Sequence, residues 1–124
     1  VRALQAEGIR VSVFLDPVEA QVRRARDLGA DRIELYTEPY AVAFAGGDAS
    51  GQLERFAHAG AIAASVGLGV NAGHDLNAAN LGPFCLAVPN VLEVSIGHAL
   101  VGRALEIGMP GAIAELAAAL PKRH

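Results

Sequence analysis

Residues 69–76 read GVNAGHDL, and residues 93–99 read EVSIGHA. Each segment is a short apolar run that stops at a glycine–histidine pair, and a helical pattern begins after each pair. Parallel strands end at one edge of a sheet, so we expect the two pairs to lie at the same mouth. An imidazole beside small residues and free backbone N–H groups suits an anionic ligand and a proton transfer.

Strand and helix patterns alternate along the chain. Strands are predicted over residues 10–15, 32–36, 68–71 and 91–96. Helices are predicted over residues 17–28, 52–66, 99–107 and 113–120, with one more that starts at Asn77 or Asn80 and ends before Pro89. Asp16 is expected to cap the first helix, and residues 37–51 are expected to form a loop. The order βαβαβαβα predicts a parallel sheet with right-handed crossovers.

We expect residues 1–124 to form one α/β domain of four (β/α) units. A complete (β/α)8 barrel needs about 200 residues or more, so four units correspond to half of one. Short strands favour the barrel type, and so do the polar residues near the strand ends, namely Asp16, Glu34, Asn71, His74 and His98. A small flavodoxin-like sheet stays open as an alternative, because open sheets also bind ligands at their carboxyl ends.

Composition excludes several classes of protein. The 124 residues are 52% hydrophobic and 19% charged, with a formal net charge of −3, so the chain lacks the basic surface that nucleic-acid binding requires. No apolar run is long enough to span a bilayer. A single cysteine excludes an internal disulfide and fits a cytoplasmic protein. Because the first residue is Val1, we expect either a trimmed chain or a piece of a longer protein.

Four segments in order, VSVFLDP, DRIELYTEPYA, GLGVNAGHDLN and EVSIGHALVGRAL, resemble the second half of the pyridoxine 5'-phosphate synthase family. The resemblance covers nearly the whole chain. It implies strands 5 to 8 of a (β/α)8 barrel. It also implies vitamin B6 biosynthesis through the condensation of 3-amino-2-oxopropyl phosphate with 1-deoxy-D-xylulose 5-phosphate, without a metal or organic cofactor. The implied partners are these phosphorylated substrates and either further copies in an octamer or the missing N-terminal half.

The resemblance also implies residue roles. Glu34 would stabilise a transition state, and His74 would donate a proton. Asp75, Gly97 and His98 would bind the aminoketone phosphate. The family often reads H-T-G where this chain has Tyr36-Thr37-Glu38, which adds a carboxylate near the mouth. The general bases of the family and its arginines for the second substrate lie in the first half of the barrel and have no counterpart here.

Other functions stay open from the residues alone. One is a different phosphate-binding barrel enzyme, although the only lysine is Lys122, which disfavours a Schiff-base aldolase. Another is a half-barrel without catalytic activity. Glu34 could simply pair with Arg32, and a metal site at His74 and His98 lacks a clear third ligand.

Overall fold

The computed structural model describes residues 1–122 and places four parallel strands in one sheet. The strands are β1 (Ser12–Leu15), β2 (Arg32–Tyr36), β3 (Gly69–Gly73) and β4 (Val91–Ser95). The helices are α1 (Arg2–Ala6), α2 (Glu19–Asp27), α3 (Glu38–Ala45), α4 (Ser50–Ser65), α5 (Leu81–Ala87), α6 (His98–Ile107) and α7 (Met109–Ala119). No helix in the described part of the chain is long and apolar enough to cross a membrane.

The order of the strands decides between the two predicted topologies. Neighbours in the sheet follow the chain, β1-β2-β3-β4, and all three pairs are parallel. A flavodoxin-like sheet reverses its strand order at a switch point, and this sheet does not. When every crossover has the same hand and leads to the next strand in the same direction, the crossover helices all lie on one face of the sheet. The chain therefore has four α/β units of the TIM-barrel type, as the sequence predicts.

The helix-facing side of the sheet carries the hydrophobic core. Its buried strand residues are Leu15, Ile33, Leu35, Val70, Ala72 and Val91. Three aromatic rings pack together against this layer: the Tyr40 ring centroid lies 5.2 Å from that of Phe84, and Phe84 lies 5.4 Å from Phe56. Such aromatic pairs contribute about 0.5–1.5 kcal/mol each beyond their buried area. This cluster fixes α3, α4 and α5 on the outside of the sheet.

The opposite face of the sheet carries both polar and aromatic side chains and is uncovered within the described residues. Phe14, Glu34, Asn71 and Glu93 form one row across the four strands. Tyr36, Gly73 and Ser95 form the row nearer the carboxyl ends. In a closed barrel such rows point inward. This face therefore corresponds to the interior of a barrel.

Two sequence predictions about helices are wrong. Residues 38–45 form α3 rather than part of a loop, because Pro39 lies in the first turn, where its missing N–H costs nothing. The last helix starts at Met109 rather than at residue 113, since Pro110 again fits a first turn. Sequence analysis also missed the short helix α1.

The start of α2 also differs from the prediction. The helix begins at Glu19 after Val18, two residues later than predicted, and no side chain caps it. Asp16 is therefore not an N-cap; its backbone N–H donates to the Gln21 side chain over 3.0 Å. The other predicted elements agree with the structure to within two residues, and β2 has the predicted bounds.

Candidate active site

An open depression of about 530 Å³ lies at the carboxyl ends of the strands. It is lined by Phe14, Glu34, Gly73, His74, Asp75, Ser95, Ile96, Gly97 and His98. All five residues singled out from the sequence, which come from three separate segments, are among them. The two glycine–histidine pairs therefore lie at one mouth, as expected from the strand ends.

Glu34 extends across the sheet toward β3. A Cβ atom added to Gly73 would lie 2.6 Å from the Glu34 Oε1 and 3.1 Å from the Ser95 Cβ, so the absence of a side chain at Gly73 leaves room for the carboxylate. Arg32 does not pair with Glu34; it binds Glu93 at 2.7 Å. Within residues 1–122 no cation lies within 4 Å of the Glu34 carboxylate. Its negative charge is thus available to a ligand in the depression.

His74 stands in a turn with an unusual backbone. Its φ is 96°, and that of Asp75 is 58°. Left-handed backbone is uncommon for residues with side chains; such positions cost about 1–3 kcal/mol each and persist only where the surrounding structure holds them. The two residues are exposed, whereas Leu76 after them is buried and anchors the turn. The turn thus holds both side chains on the accessible side of the strand end.

The Tyr36 ring lies against the imidazole of His74, and Phe14 packs behind Tyr36. The Tyr36 ring centroid lies 4.9 Å from that of His74, and the Phe14 centroid lies 5.5 Å from that of Tyr36. Tyr36 is one of the two residues, with Glu38, at which this chain departs from the H-T-G pattern. The departure therefore places a tyrosine ring against the candidate proton donor.

The second glycine–histidine pair begins a helix directly. His98 is the first residue of α6, and Gly97 before it provides no side-chain cap. The first backbone N–H groups of a helix have no partner within the helix and carry its partial positive charge. A Cβ added to Gly97 would meet nothing within 4 Å, so no packing among residues 1–122 requires a glycine there. This helix start is suited to an anion.

The first glycine–histidine pair, Gly73-His74, does not begin a helix directly, although the sequence predicts that it does. The turn at His74 is followed by further turns, and α5 begins only at Leu81 after its N-cap Asn80. Of the two predicted helix starts, Asn80 is therefore the observed one. Only the second loop offers the N-terminus of a helix directly.

Some residues considered in the sequence lie outside the depression. Asn71 lies in the same row as Phe14 and Glu34, but it is buried and accepts a hydrogen bond from Arg32 over 3.1 Å. Asp16 does not line it. Arg103 on α6 binds Glu115 on α7 through two contacts of 2.7 and 2.8 Å, so it faces a neighbouring helix. Among residues 1–122 no group of three His, Cys, Asp or Glu side chains could hold a metal ion.

Sequence analysis did not single out two buried polar residues that contact this turn, Thr37 and Asn80. Both are N-cap residues, of types that normally cap a helix with their side chains. Neither side chain makes a cap hydrogen bond in its own helix. The signal in the sequence is weak, because a threonine or asparagine before a helix predicts an ordinary cap.

Comparison with known proteins agrees with this geometry. The family model described as "Pyridoxal phosphate biosynthesis protein PdxJ" matches residues 1–122. A protein of Xanthomonas oryzae pv. oryzae (strain PXO99A) named pyridoxine 5'-phosphate synthase is 54% identical over 113 residues, which are 91% of this chain and 44% of that protein. One of the same name from Albidiferax ferrireducens is 56% identical over 103 residues, 83% of this chain and 41% of that protein.

These matches cover nearly all of this chain but only part of each relative. The chain spans less than half the length of the curated relatives that it matches. A family model matched over residues 1–122, together with the four parallel units, establishes the relationship. The chain belongs to the pyridoxal phosphate biosynthesis protein PdxJ family.

Proposed function

We propose that this chain supplies strands 5 to 8 of the barrel of a pyridoxine 5'-phosphate synthase, with part of the active site. One observation carries the proposal: the five residues that match the family's site line a single depression, although they come from three segments. The proposed reaction condenses 3-amino-2-oxopropyl phosphate with 1-deoxy-D-xylulose 5-phosphate to pyridoxine 5'-phosphate, phosphate and water.

His74 is the proposed proton donor. Imine formation and loss of water require a group that transfers protons near neutral pH, and imidazole has that property. The exposed His74 side chain borders the depression, where a substrate can reach it. Glu34 is the proposed electrostatic partner. A carboxylate without a bound cation stabilises a positively charged imine strongly once water is excluded.

Asp75, Gly97 and His98 are proposed to bind the aminoketone phosphate. The start of α6 supplies backbone N–H groups, and barrels of this type bind phosphate at the loops after strands 7 and 8, which correspond here to β3 and β4. A phosphate is expected between the two loops. We propose the phosphorylated substrates as the ligands, a cytoplasmic location, and further copies or the first half of the barrel as partners.

The test is a fusion enzyme, made by joining the first half of the Xanthomonas oryzae relative to this chain. We expect it to form pyridoxine 5'-phosphate from the two substrates, because the first half brings the general bases and the remaining substrate contacts. The isolated chain is expected to form none. The full-length relative is the positive control.

A fusion enzyme that unfolds cooperatively and binds phosphate but makes no pyridoxine 5'-phosphate would contradict the proposal. Turnover of another phosphosugar would then favour a different phosphate-binding barrel enzyme. Phosphate binding without any turnover would favour a half-barrel without catalytic activity.

A further inference from the structure

The turn at His74 and Asp75 is held from inside the protein through three consecutive carbonyl groups. The Thr37 backbone N–H donates to the Gly73 carbonyl over 3.0 Å. The Thr37 hydroxyl donates to the His74 carbonyl over 2.5 Å. The Asn80 side-chain amide donates to the Asp75 carbonyl over 3.2 Å. Two residues from two different helix starts thus account for all three carbonyls.

These donors are buried and are themselves fixed. Thr37 is 0% exposed and Asn80 is 1% exposed. The Asn80 Oδ1 accepts from the Asn77 backbone N–H over 2.8 Å, and the Asn80 carbonyl accepts from the Tyr40 hydroxyl over 2.7 Å. Burial raises the pKa of Tyr40 to about 12, so this hydroxyl remains a donor at neutral pH. Asn80 is therefore held in one orientation.

Both residues give up an ordinary role for this contact. Side chains of Thr and Asn at an N-cap usually bond to the first turn of their own helix, which stabilises it by about the amount of one hydrogen bond. Here the Thr37 hydroxyl and the Asn80 amide donate to the His74–Asp75 backbone, while the Asn80 Oδ1, the atom that would cap α5, accepts from the Asn77 backbone N–H. Residues that depart from the usual role of their position and make another specific contact instead are typical of functional sites.

We propose that Thr37 and Asn80 are positioning residues that keep the His74–Asp75 turn in its left-handed backbone. Through the two carbonyls they fix where the His74 imidazole and the Asp75 carboxylate stand in the depression. This inference rests on the proposed function for the roles of His74 and Asp75. Thr37 acts on the proton donor and Asn80 acts on the phosphate contact.

The first test compares two substitutions at Thr37 in the fusion enzyme. Thr37→Val keeps the shape of the side chain and removes the hydroxyl, whereas Thr37→Ser keeps the hydroxyl. Because a small misplacement of a catalytic group costs up to about 100-fold in rate, we expect Thr37→Val to lower kcat by about 10- to 100-fold with little change in KM. Thr37→Ser should retain the parent kcat within about threefold.

The second test uses Asn80→Asp, which keeps the shape of the side chain, replaces the donating amide with an oxygen and adds a charge at a buried position. We expect this variant to raise the KM for the aminoketone phosphate more than it lowers kcat, because it releases the Asp75 carbonyl. It also keeps the inference testable if Thr37→Val does not fold. Equal kcat losses in Thr37→Ser and Thr37→Val, or parent kinetics in both Thr37→Val and Asn80→Asp, would overturn the inference.

A crystal structure of Thr37→Val, or of Asn80→Asp if that variant alone folds, separates this inference from the proposed function. We expect His74 to have left its left-handed φ, with its ring moved by about 1 Å or more. That result supports the positioning role even if the enzyme acts on other substrates. An unchanged turn in the variant structure would refute it whatever the activity.

Discussion

Gly73 and Gly97 each precede a histidine that lines the depression, but a side chain at these two positions would meet different surroundings. Sequence analysis assigned both to the approach of an anion. At Gly73 the space is taken by the Glu34 carboxylate, whereas at Gly97 it is open. The first glycine thus positions a protein group, and only the second leaves room for a ligand.

Gly73→Ala should therefore move the Glu34 carboxylate. The new Cβ would lie 2.6 Å from the Glu34 Oε1, which is the end of a flexible side chain and can shift. We expect kcat of the fusion enzyme to fall by about 10- to 100-fold, with a change in Tm of only a few degrees. Gly102→Ala on α6, where a Cβ meets nothing within 4 Å, is the control and should keep the parent kcat. Parent kcat in Gly73→Ala would contradict the role of Glu34.

His74→Asn removes the proposed proton donor but leaves a polar side chain in the turn. General acid catalysis contributes about 10²–10⁴-fold, so we expect product formation in the fusion enzyme to fall by that factor. Binding of inorganic phosphate, measured by calorimetry, should persist. His58→Asn is the matched control, because His58 is exposed on α4 and contacts Glu19 at 3.2 Å, away from the depression. Turnover at the parent rate in His74→Asn would exclude the role.

At the scale of elements, the alternation of strands and helices was predictable because apolar residues in the sequence follow the spacing of strands in some segments and the spacing of helices in others. The helix α3 was not, because its residues are mostly half-exposed and only Tyr40 is fully buried, which leaves no clear apolar stripe. The glycine–histidine pairs and the resemblance could predict that the five candidate residues line one depression. The contacts of Thr37 and Asn80 could not, since they depend on how two helix starts pack against a distant turn.

The start of α6 is the element on which the anion prediction depends. Gly97→Val would fill the open space before the helix, so we expect weaker binding of inorganic phosphate to the fusion enzyme. Arg103→Ala should leave phosphate affinity unchanged and lower Tm, because Arg103 joins α6 to Glu115 on α7. Calorimetric titration and thermal unfolding measure the two effects. The reverse pattern, with tight binding in Gly97→Val and weak binding in Arg103→Ala, would place the anion elsewhere.

The Arg103–Glu115 pair also predicts how the α6–α7 contact responds to pH. Hydrogen bonds from Arg103 lower the pKa of the Glu115 carboxyl. A carboxyl whose pKa is lower in the folded state contributes stability above its unfolded pKa and loses it as the pH falls through the folded pKa. We expect the difference in Tm between the parent and Arg103→Ala to shrink as the pH falls below the ordinary range of a glutamate. A difference in Tm that stays constant as the pH falls below that range would contradict the role of this pair.

For the whole molecule, the sheet has two strand edges and a face that nothing covers within residues 1–122. β1 and β4 each pair with one strand there. On the uncovered face, Phe14 is 58% exposed and Leu92 is 47% exposed. Beside them, Arg10 and Arg32 share the Glu93 carboxylate at 3.0 and 2.7 Å. Apolar and charged groups that would be enclosed in a complete barrel are therefore open to solvent.

This exposure makes a definite prediction for the isolated chain. Unpaired strand edges and uncovered apolar surface favour association, so the chain alone should not remain a monomer of 12.8 kDa. In sedimentation velocity we expect dimers or larger species that grow with concentration. Mixing with the separately produced first half of the barrel should replace them with a complex of defined mass, because β1 and β4 then pair with the strands of that half. A single compact species of 12.8 kDa at all concentrations, unchanged by the first half, would mean that the edges are satisfied within the chain and that barrel closure does not drive its assembly.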